Sequence, residues 1–438
     1  MSEAVRSVQK VDLVIEHAGE LIPCTGPATG ITGNELSRLV VIEDGAIAVD
    51  EGSILAVGTS REIGAQFNGC QTIDANGCLV SPGLVDAHSH LVYAGSRHDE
   101  WEYQVTGSKR PGSLQGGIHR SVRWTRDASD SALQSQALND LDLMLSHGTT
   151  TLEAKTGYGL ARKDELRLLN LTSRLRHPID IAPTFLGMHV PPAERLHDTD
   201  TYVDEMVEML ADIADETEYC DVCCDPIGFT PEQCHKVGRA ALDLGLGVRV
   251  HADQTGDAKG ALLAARLGAA SADHLDYTSD EGFAALADAG TVAVFLPGVA
   301  HHMLELSPGL KEGDVVAPEK LFMPLVVRRA IDSGCVVALS ADYNPGSCPC
   351  PSMQVVMQLA ARLFRLSYAQ IWNMCTINAA ASLGRGRITG SLEPGKRADI
   401  ILWTEPSHGE VINRFGYNMT DKVFASGRLV VTDGRVVN

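Results

Sequence analysis

The stretch "SPGLVDAHSHLV", residues 81–92, ends an apolar run with two histidines one residue apart, His88 and His90. Because successive side chains of a β-strand point to opposite faces, these two imidazoles lie beside each other on one face. Neighbouring imidazoles are suited to holding a metal ion. The spacing therefore predicts a metal site where this strand ends.

Further polar residues follow other short apolar stretches. "APTFLGMHV" contains His189, "GVRVHAD" contains His251, "SADHL" contains His274 and "VVALSAD" ends with Asp342. Imidazole nitrogen and carboxylate oxygen suit zinc or ferrous iron, and three or four such ligands leave an open position for water. The ion lowers the pKa of that water towards neutrality, and a carboxylate such as Asp342 would collect the proton. A lone histidine at a strand end is more often a core residue. The prediction therefore depends on several such residues lying at the ends of successive strands.

Residues 80–387 alternate short apolar strands with helical stretches, which is typical of repeated β-α units. Counting the opening strand, the candidate strands number eight: the remaining seven are "TTTLEAK", "APTFLGMHV", "CDVCC", "GVRVHAD", "SADHL", "TVAVFLP" and "VVALSAD". This pattern predicts an α/β fold, a closed (β/α)8 TIM barrel with chemistry at the carboxyl ends of its strands. An open doubly wound sheet is the alternative, and it is disfavoured because no Gly-x-Gly-x-x-Gly follows the first strand.

The two ends of the chain have a different sequence pattern from the β-α region. Residues 1–79 and 388–438 contain short segments of alternating apolar and polar residues, broken by Gly, Asn and Asp. We expect them to form one small β-sandwich domain, with residues 80–387 as the barrel between its two parts.

Composition excludes several classes of protein. The formal net charge is -20 over 438 residues, which repels a phosphate backbone or an anionic membrane surface. Uninterrupted apolar stretches of about 18 residues, the length that crosses a bilayer, are missing, and the first residues do not resemble a signal peptide. We therefore expect a cytoplasmic protein that binds neither nucleic acid nor membranes.

Eleven cysteines are spread along the chain, an odd number that favours reduced thiols over a secreted disulfide framework. The pair Cys220 and Cys223 has the spacing of a structural zinc site, but a second pair at the required spacing is missing. We therefore expect most of these cysteines to be small core residues.

The motifs "SPGLVDAHSHLVYAGSR", "TGYG", "FLGMHVPP", "HADQ", "SADHL" and "DYNPGS" follow one another on the predicted strands. With them the chain resembles the amidohydrolase superfamily and, within it, the imidazolonepropionase family, whose members hydrolyse an imidazolone ring during histidine degradation. The similarity extends from the first β segments to "GSLEPGKRADIILW". The two histidines and the strand-end aspartate are common to the superfamily, whereas "TGYG", "FLGMHVPP" and "DYNPGS" are more specific.

The resemblance implies one metal ion, zinc or iron, per subunit. Its ligands would be His88, His90, His251 and Asp342, with no lysine needed as a bridging ligand. His274 would lie beside the ion as a catalytic histidine, and Asp342 would also take part in catalysis.

The resemblance also implies a set of substrate contacts: Arg97, Tyr158, His189, Asn344, Gly346 and Ser347. Arg97 and the backbone of "NPGS" would hold a propionate carboxylate, because a fixed guanidinium and loop amides suit that group. The expected partner is a small molecule that carries a carboxylate. A homodimer is expected by resemblance alone.

Two departures from the family put the substrate in doubt. The family motif is usually His-Ala-Asp-Glu, whereas this chain has "HADQ", with Gln254 where a substrate-facing glutamate is expected. A glutamine forms hydrogen bonds but does not shuttle a proton. The chain also has Lys109, Arg110 and Pro111 where the family usually has an aromatic residue and a short helix.

Three functions therefore stay open. The first is imidazolonepropionase-like ring opening, in which activated water attacks the carbon between the two ring nitrogens and a protonated ring nitrogen leaves. The second is exocyclic hydrolysis on that carbon, as in deamination or in the 3-(5-oxo-2-thioxoimidazolidin-4-yl)propionate desulfhydrase of ergothioneine breakdown, where sulfide leaves with less help. The third is a non-catalytic metal-binding relative, disfavoured because Asp342 and His274 are both present.

Overall fold

The structure is a computed structural model that describes residues 8–106, 108, 116–303 and 322–437. Two β-sheets organise these residues. In chain order their strands are β1 (Gln9–Leu21), β2 (Ile42–Asp50), β3 (Ser53–Thr59), β4 (Phe67–Asp74), β5 (Val80–Pro82), β6 (Leu84–Asp86), β7 (Thr149–Lys155), β8 (Asp180–Met188), β9 (Tyr219–Cys224), β10 (Gly247–Ala252), β11 (Ser271–His274), β12 (Val292–Phe295), β13 (Val337–Leu339), β14 (Ile400–Trp403), β15 (Thr420–Ala425), β16 (Arg428–Thr432) and β17 (Arg435–Val436).

Helices fill most of the connections. They are α1 (Ser60–Gly64), α2 (His98–Thr106), α3 (Ile118–Asp127), α4 (Asp130–Ser146), α5 (Arg162–Ser173), α6 (Thr199–Ile213), α7 (Pro231–Asp243), α8 (Gly260–Leu267), α9 (Asp280–Ala289), α10 (Pro297–His302), α11 (Phe322–Asp332), α12 (Met353–Leu359), α13 (Tyr368–Cys375), α14 (Ile377–Ser382) and α15 (His408–Asn413). Short 3-10 turns cover Gly33–Ser37 and Ala193–Arg195.

The central sheet has eight parallel strands in the order β6 to β13. Each predicted strand of the β-α region appears in it, and the strands are buried along almost their whole length. A parallel bridge between Ser89 and Tyr343, just beyond the ends of β6 and β13, connects the first strand to the last. The prediction of a (β/α)8 barrel is confirmed, and the doubly wound alternative is wrong because an open sheet has no such closure.

Both chain ends form the second sheet, which contains β1–β5 and β14–β17. The two parts join where β5 pairs antiparallel with β14, and the backbone N–H of Ile54 donates to the Lys396 carbonyl at 2.9 Å. Side chains from both parts share one core, for example Ile47 and Ile400. The prediction that both chain ends build one β domain is confirmed, and its strands belong to a single hydrogen-bonded sheet of nine strands.

Helix positions also follow the predicted pattern. α5, α7 and α8 pack against β8, β9 and β10, and Thr230 caps α7 by accepting a hydrogen bond from the Gln233 backbone N–H. One predicted helix is interrupted: α12 continues into a π-helical turn, Ala360–Phe364, and ends at Arg365, whose φ is 54°. None of the described helices is long and apolar enough to cross a bilayer.

The predicted domain limits stay predictions. β5 begins at Val80 and belongs to the sheet of the chain ends, while β6 begins the barrel at Leu84. The first crossing between the two sheets therefore takes place at Gly83, where an added Cβ would lie 2.1 Å from Thr150 Oγ1. A glycine is required there because the chain passes so close to β7.

Candidate active site

A cavity of about 240 Å³ opens at the carboxyl ends of the barrel strands. It brings together most of the residues that the sequence singled out. The described residues that line it are His90, Arg97, Ile118, Tyr158, His189, Val190, Cys223, Ile227, His251, Gln254, Thr255, His274, Met303, Asp342, Asn344 and Ser347. A larger hollow of about 640 Å³ near the start of β8 contains none of the predicted site residues.

His88 and His90 lie just after β6, where the barrel closes. The backbone N–H of Asp342 donates to the His88 carbonyl at 2.9 Å, and that of His90 donates to the Tyr343 carbonyl at 2.8 Å. The His251 ring lies 4.6 Å from the His88 ring, centroid to centroid, and 5.7 Å from the His90 ring. Closure of the barrel thus brings the predicted ligands from its first, fifth and last strands together.

The donor atoms of this group fit a divalent ion. His88, His90 and His251 each offer a ring nitrogen within 4.8 Å of the others, and Asp342 Oδ1 lies 3.4 Å from Nε2 of both His88 and His90. In the described part of the chain, His88 Nε2, His251 Nε2 and Asp342 Oδ1 are buried without a hydrogen-bond partner. Buried polar atoms are nearly always partnered in proteins, so a shared cation accounts for this cluster.

The electrostatics of the site favour a positive charge near His88, next to two neutral rings. Burial lowers the pKa of His251 to about 4 and that of His274 to about 3, so both rings keep a free lone pair at neutral pH. Burial also acts to lower the pKa of His88, but hydrogen bonds to Asp273 and Asp342 raise it to about 9. A positive charge between His88 and Asp342 is therefore stabilised.

His274 and Asp342 both have left-handed backbone conformations, with φ of 76° and 55°. Such conformations are costly for residues other than glycine and are concentrated at functional sites. His274 Nδ1 is buried without a partner among the described residues, and the His274 ring lies 5.4 Å from that of His88. The backbone therefore turns sharply at each of these strand ends, next to the group of imidazoles.

The "TGYG" loop, residues 156–159, positions Tyr158 and His189. The fully buried Glu165 carboxylate accepts hydrogen bonds from three backbone N–H groups of this loop region, at 2.7 to 3.1 Å. The Gly157 carbonyl, 3.1 Å from His189 Nδ1, can only accept a hydrogen bond, so Nδ1–H is the donor. His189 Nε2 is then the ring's acceptor atom. Both side chains line the cavity, and their contact with substrate stays a prediction.

Arg97 packs against the "NPGS" turn. Its guanidinium lies over Gly346, where an added Cβ would come 1.2 Å from Arg97 Nη2, so a larger residue there would displace the guanidinium. The backbone N–H groups of Gly346 and Ser347 both donate to Asn344 Oδ1 at 2.8 Å. Both amides are therefore hydrogen-bonded within the turn, and their contact with a carboxylate stays a prediction. Asn344 and Ser347 hydrogen-bond to Asp342, at its carbonyl and Oδ2.

Gln254 lies in the cavity wall next to Thr255, as the "HADQ" motif predicts. Thr255 is held by Asp225, which accepts from its backbone N–H at 2.8 Å and from its hydroxyl at 2.5 Å. Asp342 is the single carboxylate among the described residues that line the cavity. The second departure from the family, Lys109 to Pro111, lies outside the described residues.

Sequence reasoning missed two sets of residues. Apolar or weakly polar side chains complete the cavity wall, and five charged residues lie buried between the strands beneath it: Glu153, Lys155, Asp221, Arg249 and Asp273. The signal for the second set was present, since each of these charges interrupts an otherwise apolar strand. Among the described residues, no group that could hold an ion includes a cysteine, which excludes the cysteine zinc site there.

Comparisons with known proteins agree with this geometry. A family model described as the amidohydrolase family matches residues 79–430. The chain is 39% identical over 436 residues to an imidazolonepropionase of Geobacillus kaustophilus, covering 97% of this chain and 99% of the relative. It is also 39% identical over 440 residues to an imidazolonepropionase of Symbiobacterium thermophilum, covering 98% and 99%.

Solved structures share the fold at lower identity. An adenosine deaminase from Xanthomonas campestris with bound zinc superposes with a TM-score of 0.71 at 20% identity, covering 98% of this chain and 95% of that one. The guanine deaminase of E. coli gives a TM-score of 0.70 at 17% identity, covering 96% and 98%.

Removal of any one ligand should empty the metal site. We expect His88→Ala, His90→Ala, His251→Ala and Asp342→Ala each to reduce the metal content of the purified protein towards zero, because each substitution removes one donor atom and so lowers the affinity of the site for the ion. His197→Ala, which removes an exposed histidine, is the control and should leave the content unchanged. Elemental analysis measures the content. Full metal content in the variants would contradict this ligand set.

Proposed function

This chain belongs to the amidohydrolase family and, within it, to the imidazolonepropionase group, and from that premise we propose that it opens the ring of an imidazolone-type propionate by hydrolysis. The observation that carries the proposal is one cavity lined by the candidate ligands His90, His251 and Asp342 together with Arg97 as a carboxylate partner. The fourth candidate ligand, His88, lies against this group, with Nε2 3.4 Å from Asp342 Oδ1. The reaction adds water across a ring C–N bond. The expected product is an open chain in which the former ring nitrogen carries the proton.

We propose that His88, His90, His251 and Asp342 hold one ion per subunit, zinc or iron. Their nitrogen and oxygen donors suit both metals, so availability in the cell decides between them. When bound, such an ion supplies Lewis acidity and lowers the pKa of water towards neutrality.

Protons in this site are handled by Asp342 and two neutral imidazoles. Hydrogen bonds to His88 and His90 outweigh burial and hold the pKa of Asp342 well below its usual range, so the carboxylate is ionised before reaction and is able to accept a proton. Burial keeps His274 neutral, with a pKa of about 3, so it acts first as a hydrogen-bond partner or proton acceptor. His189 offers Nε2 in the same way, because Nδ1 donates to Gly157.

Arg97 is the proposed anchor of the propionate. It is the one arginine or lysine among the described residues that line the cavity. Its guanidinium packs over the "NPGS" turn, where Gly346 has no side chain to displace it. Charge attraction and a bidentate hydrogen bond then orient the ring towards the group of imidazoles.

The leaving group decides between two related reactions. In an imidazolone, attack on the carbon between the nitrogens or on the amide carbonyl carbon expels a ring nitrogen, which needs a proton to leave. Gln254 does not supply one, and Asp342 is the single acid among the described lining residues. Asp342 or His274 must therefore return the proton that it collected from the attacking water. The same observation favours a second candidate, exocyclic hydrolysis of a 2-thioxo ring, because hydrosulfide, which takes its proton from the attacking water, is a better leaving group than a ring nitrogen.

We further propose that the enzyme works in the cytoplasm as a homodimer on a small molecule with a carboxylate, without nucleic acid or membrane partners. The strongly negative net charge of -20 supports the last part of this proposal, because it opposes binding to phosphate-rich surfaces.

One assay tests the proposed reaction and its alternative together. The metal-loaded enzyme is incubated with imidazolonepropionate and with its 2-thioxo dihydro analogue, while ring absorbance and released sulfide are followed. We expect loss of ring absorbance with the first compound and identify the cleaved bond from the product by mass spectrometry and NMR. Sulfide release from the second compound, with no turnover of the first, would support the exocyclic candidate instead.

Arg97→Met should weaken substrate binding and leave the metal site intact. Loss of a charge-assisted bidentate bond in a partly buried site lowers kcat/KM by roughly 30- to 1,000-fold, which corresponds to about 2 to 4 kcal/mol. Arg123→Met removes an exposed arginine of α3 and serves as the matched control. The measurement compares kcat/KM for the carboxylate substrate and for its amide. If Arg97→Met leaves kcat/KM for the carboxylate substrate and for its amide unchanged, another group binds the carboxylate.

Gln254→Glu should raise ring-opening activity and depress any sulfide release. General acid help is worth about 10² to 10⁴ in rate, and the gain should follow the protonation of the new carboxylate across pH. Gln254→Met, whose side chain has neither the amide of glutamine nor the acidic proton of glutamate, is the control and should show no such pH dependence. Equal ring-opening rates in the wild type and Gln254→Glu at every pH would show that Gln254 serves to orient the ring.

A further inference from the structure

A cluster of five charged side chains lies inside the barrel, directly beneath the candidate metal site. The cluster comes from four strands of the barrel, the three consecutive strands β9, β10 and β11 and, beyond β8, β7. Its side chains are all fully buried: Glu153, Lys155, Asp221, Arg249 and Asp273. Burial of so many charges is expensive unless each is paired. Because burying these five charges costs much free energy, we expect the cluster to have a function beyond packing the barrel core.

Two carboxylates of the cluster contact the predicted ligands. Asp273 Oδ2 lies 2.7 Å from His88 Nδ1, and Asp221 Oδ2 lies 3.0 Å from His251 Nδ1. A carboxylate beside one ring nitrogen fixes the orientation and tautomer of the ring, so that the other nitrogen is free to bind a metal. The nitrogen left free is Nε2 in both rings, and in neither ring does it have a hydrogen-bond partner among the described residues. His251 Nδ1 lies 3.0 Å from Asp221 Oδ2 as an ion-pair contact, whereas His88 Nδ1 is hydrogen-bonded to Asp273.

Lys155 ties these two carboxylates together. Its Nζ lies 2.5 Å from Asp221 Oδ2 and 3.5 Å from Asp273 Oδ2, the same oxygens that face the imidazoles. A third contact, 2.9 Å to Glu153, fixes the ammonium from below. With three carboxylates around it, this lysine is not available as a metal ligand. Its position suits it instead to hold the Asp221 and Asp273 carboxylates in place against the two imidazole rings.

Arg249 anchors the cluster to the backbone. Its Nε lies 2.9 Å from Glu153 Oε1, and its Nη2 donates to the Ala87 carbonyl at 2.8 Å, one residue before His88. Nη1 donates to the Ser382 carbonyl at 2.7 Å. The cluster is therefore attached to the segment that carries the first two predicted ligands.

We propose that Lys155 is a positioning residue that sets the metal affinity of the site by clamping Asp221 and Asp273 against His251 and His88. The proposal rests on the proposed metal-dependent function. Lys155 acts at a distance, through two carboxylates and two imidazoles, and contacts neither ion nor substrate. Its loss should release both aspartates, so that the rings no longer present Nε2 in one fixed arrangement.

The test measures metal affinity, which is independent of turnover. Lys155→Met removes the ammonium and keeps the length of the side chain, and we expect zinc affinity to fall by about 10- to 100-fold in chelator competition. Because Lys155→Met also leaves an unbalanced charge, the double variant Glu153→Gln/Lys155→Met is measured beside it. The double variant removes one charge of each sign and leaves the net charge of the cluster unchanged.

Arg385→Met is the matched control. Arg385 is a mostly buried arginine that pairs with Asp180 and Glu218 at the opposite end of β8 and β9. Its loss should lower the melting temperature and leave zinc affinity within about twofold of the wild type. If breaking any buried ion pair lowered zinc affinity, Arg385→Met would lower it as much as the Lys155 variants do.

The outcomes separate this proposal from the proposed reaction. A folded double variant that binds zinc as tightly as the wild type overturns the role of Lys155. A double variant that does not fold also counts against it, because the cluster would then be a requirement of the fold. If zinc affinity falls as expected while the wild type leaves imidazolonepropionate intact, the proposal for Lys155 stands and the proposed substrate is wrong.

Discussion

Closure of the barrel between its first and last strands is the constraint on which the site depends. The hydrogen bond from the Asp342 backbone to His88, and that from His90 to Tyr343, join β6 to β13 at the level where both strands end. Three of the four predicted ligands lie within this seam. Their separation is therefore set by backbone pairing and not by flexible loops, which is the arrangement that a preformed metal site requires.

Burial at the seam determines the charge state of its groups. Desolvation keeps His251 and His274 neutral, while the ionised Asp342 and Asp273 stabilise a positive charge near His88. Beneath them the ion pairs of Lys155 and Arg249 balance most of the negative charge of three carboxylates. The charge distribution at the strand ends therefore favours a bound cation. The guanidinium of Arg97 adds attraction for an anionic substrate at the cavity mouth.

Much of this arrangement could be predicted from the sequence, because it follows from local patterns. The eight apolar strands, and the histidines at their ends, are visible as short runs such as "GVRVHAD", and a barrel then requires those ends to meet. The use of the "NPGS" amides by Asn344 could not be predicted, because it depends on the conformation of one turn. Nor could the partners of Lys155, since contacts between β7, β9 and β11 depend on strand register.

Anomalous diffraction from crystals of the zinc-loaded protein tests the central claim most directly, because it locates the ion and its donor atoms in one measurement. The account predicts a single strong peak at the seam, about 2.0 to 2.2 Å from Nε2 of the three histidines and from one oxygen of Asp342. Asp273 and Asp221 should remain on Nδ1 of His88 and His251. A peak elsewhere in the barrel, or an ion bound through Nδ1 with those two aspartates displaced, would contradict it.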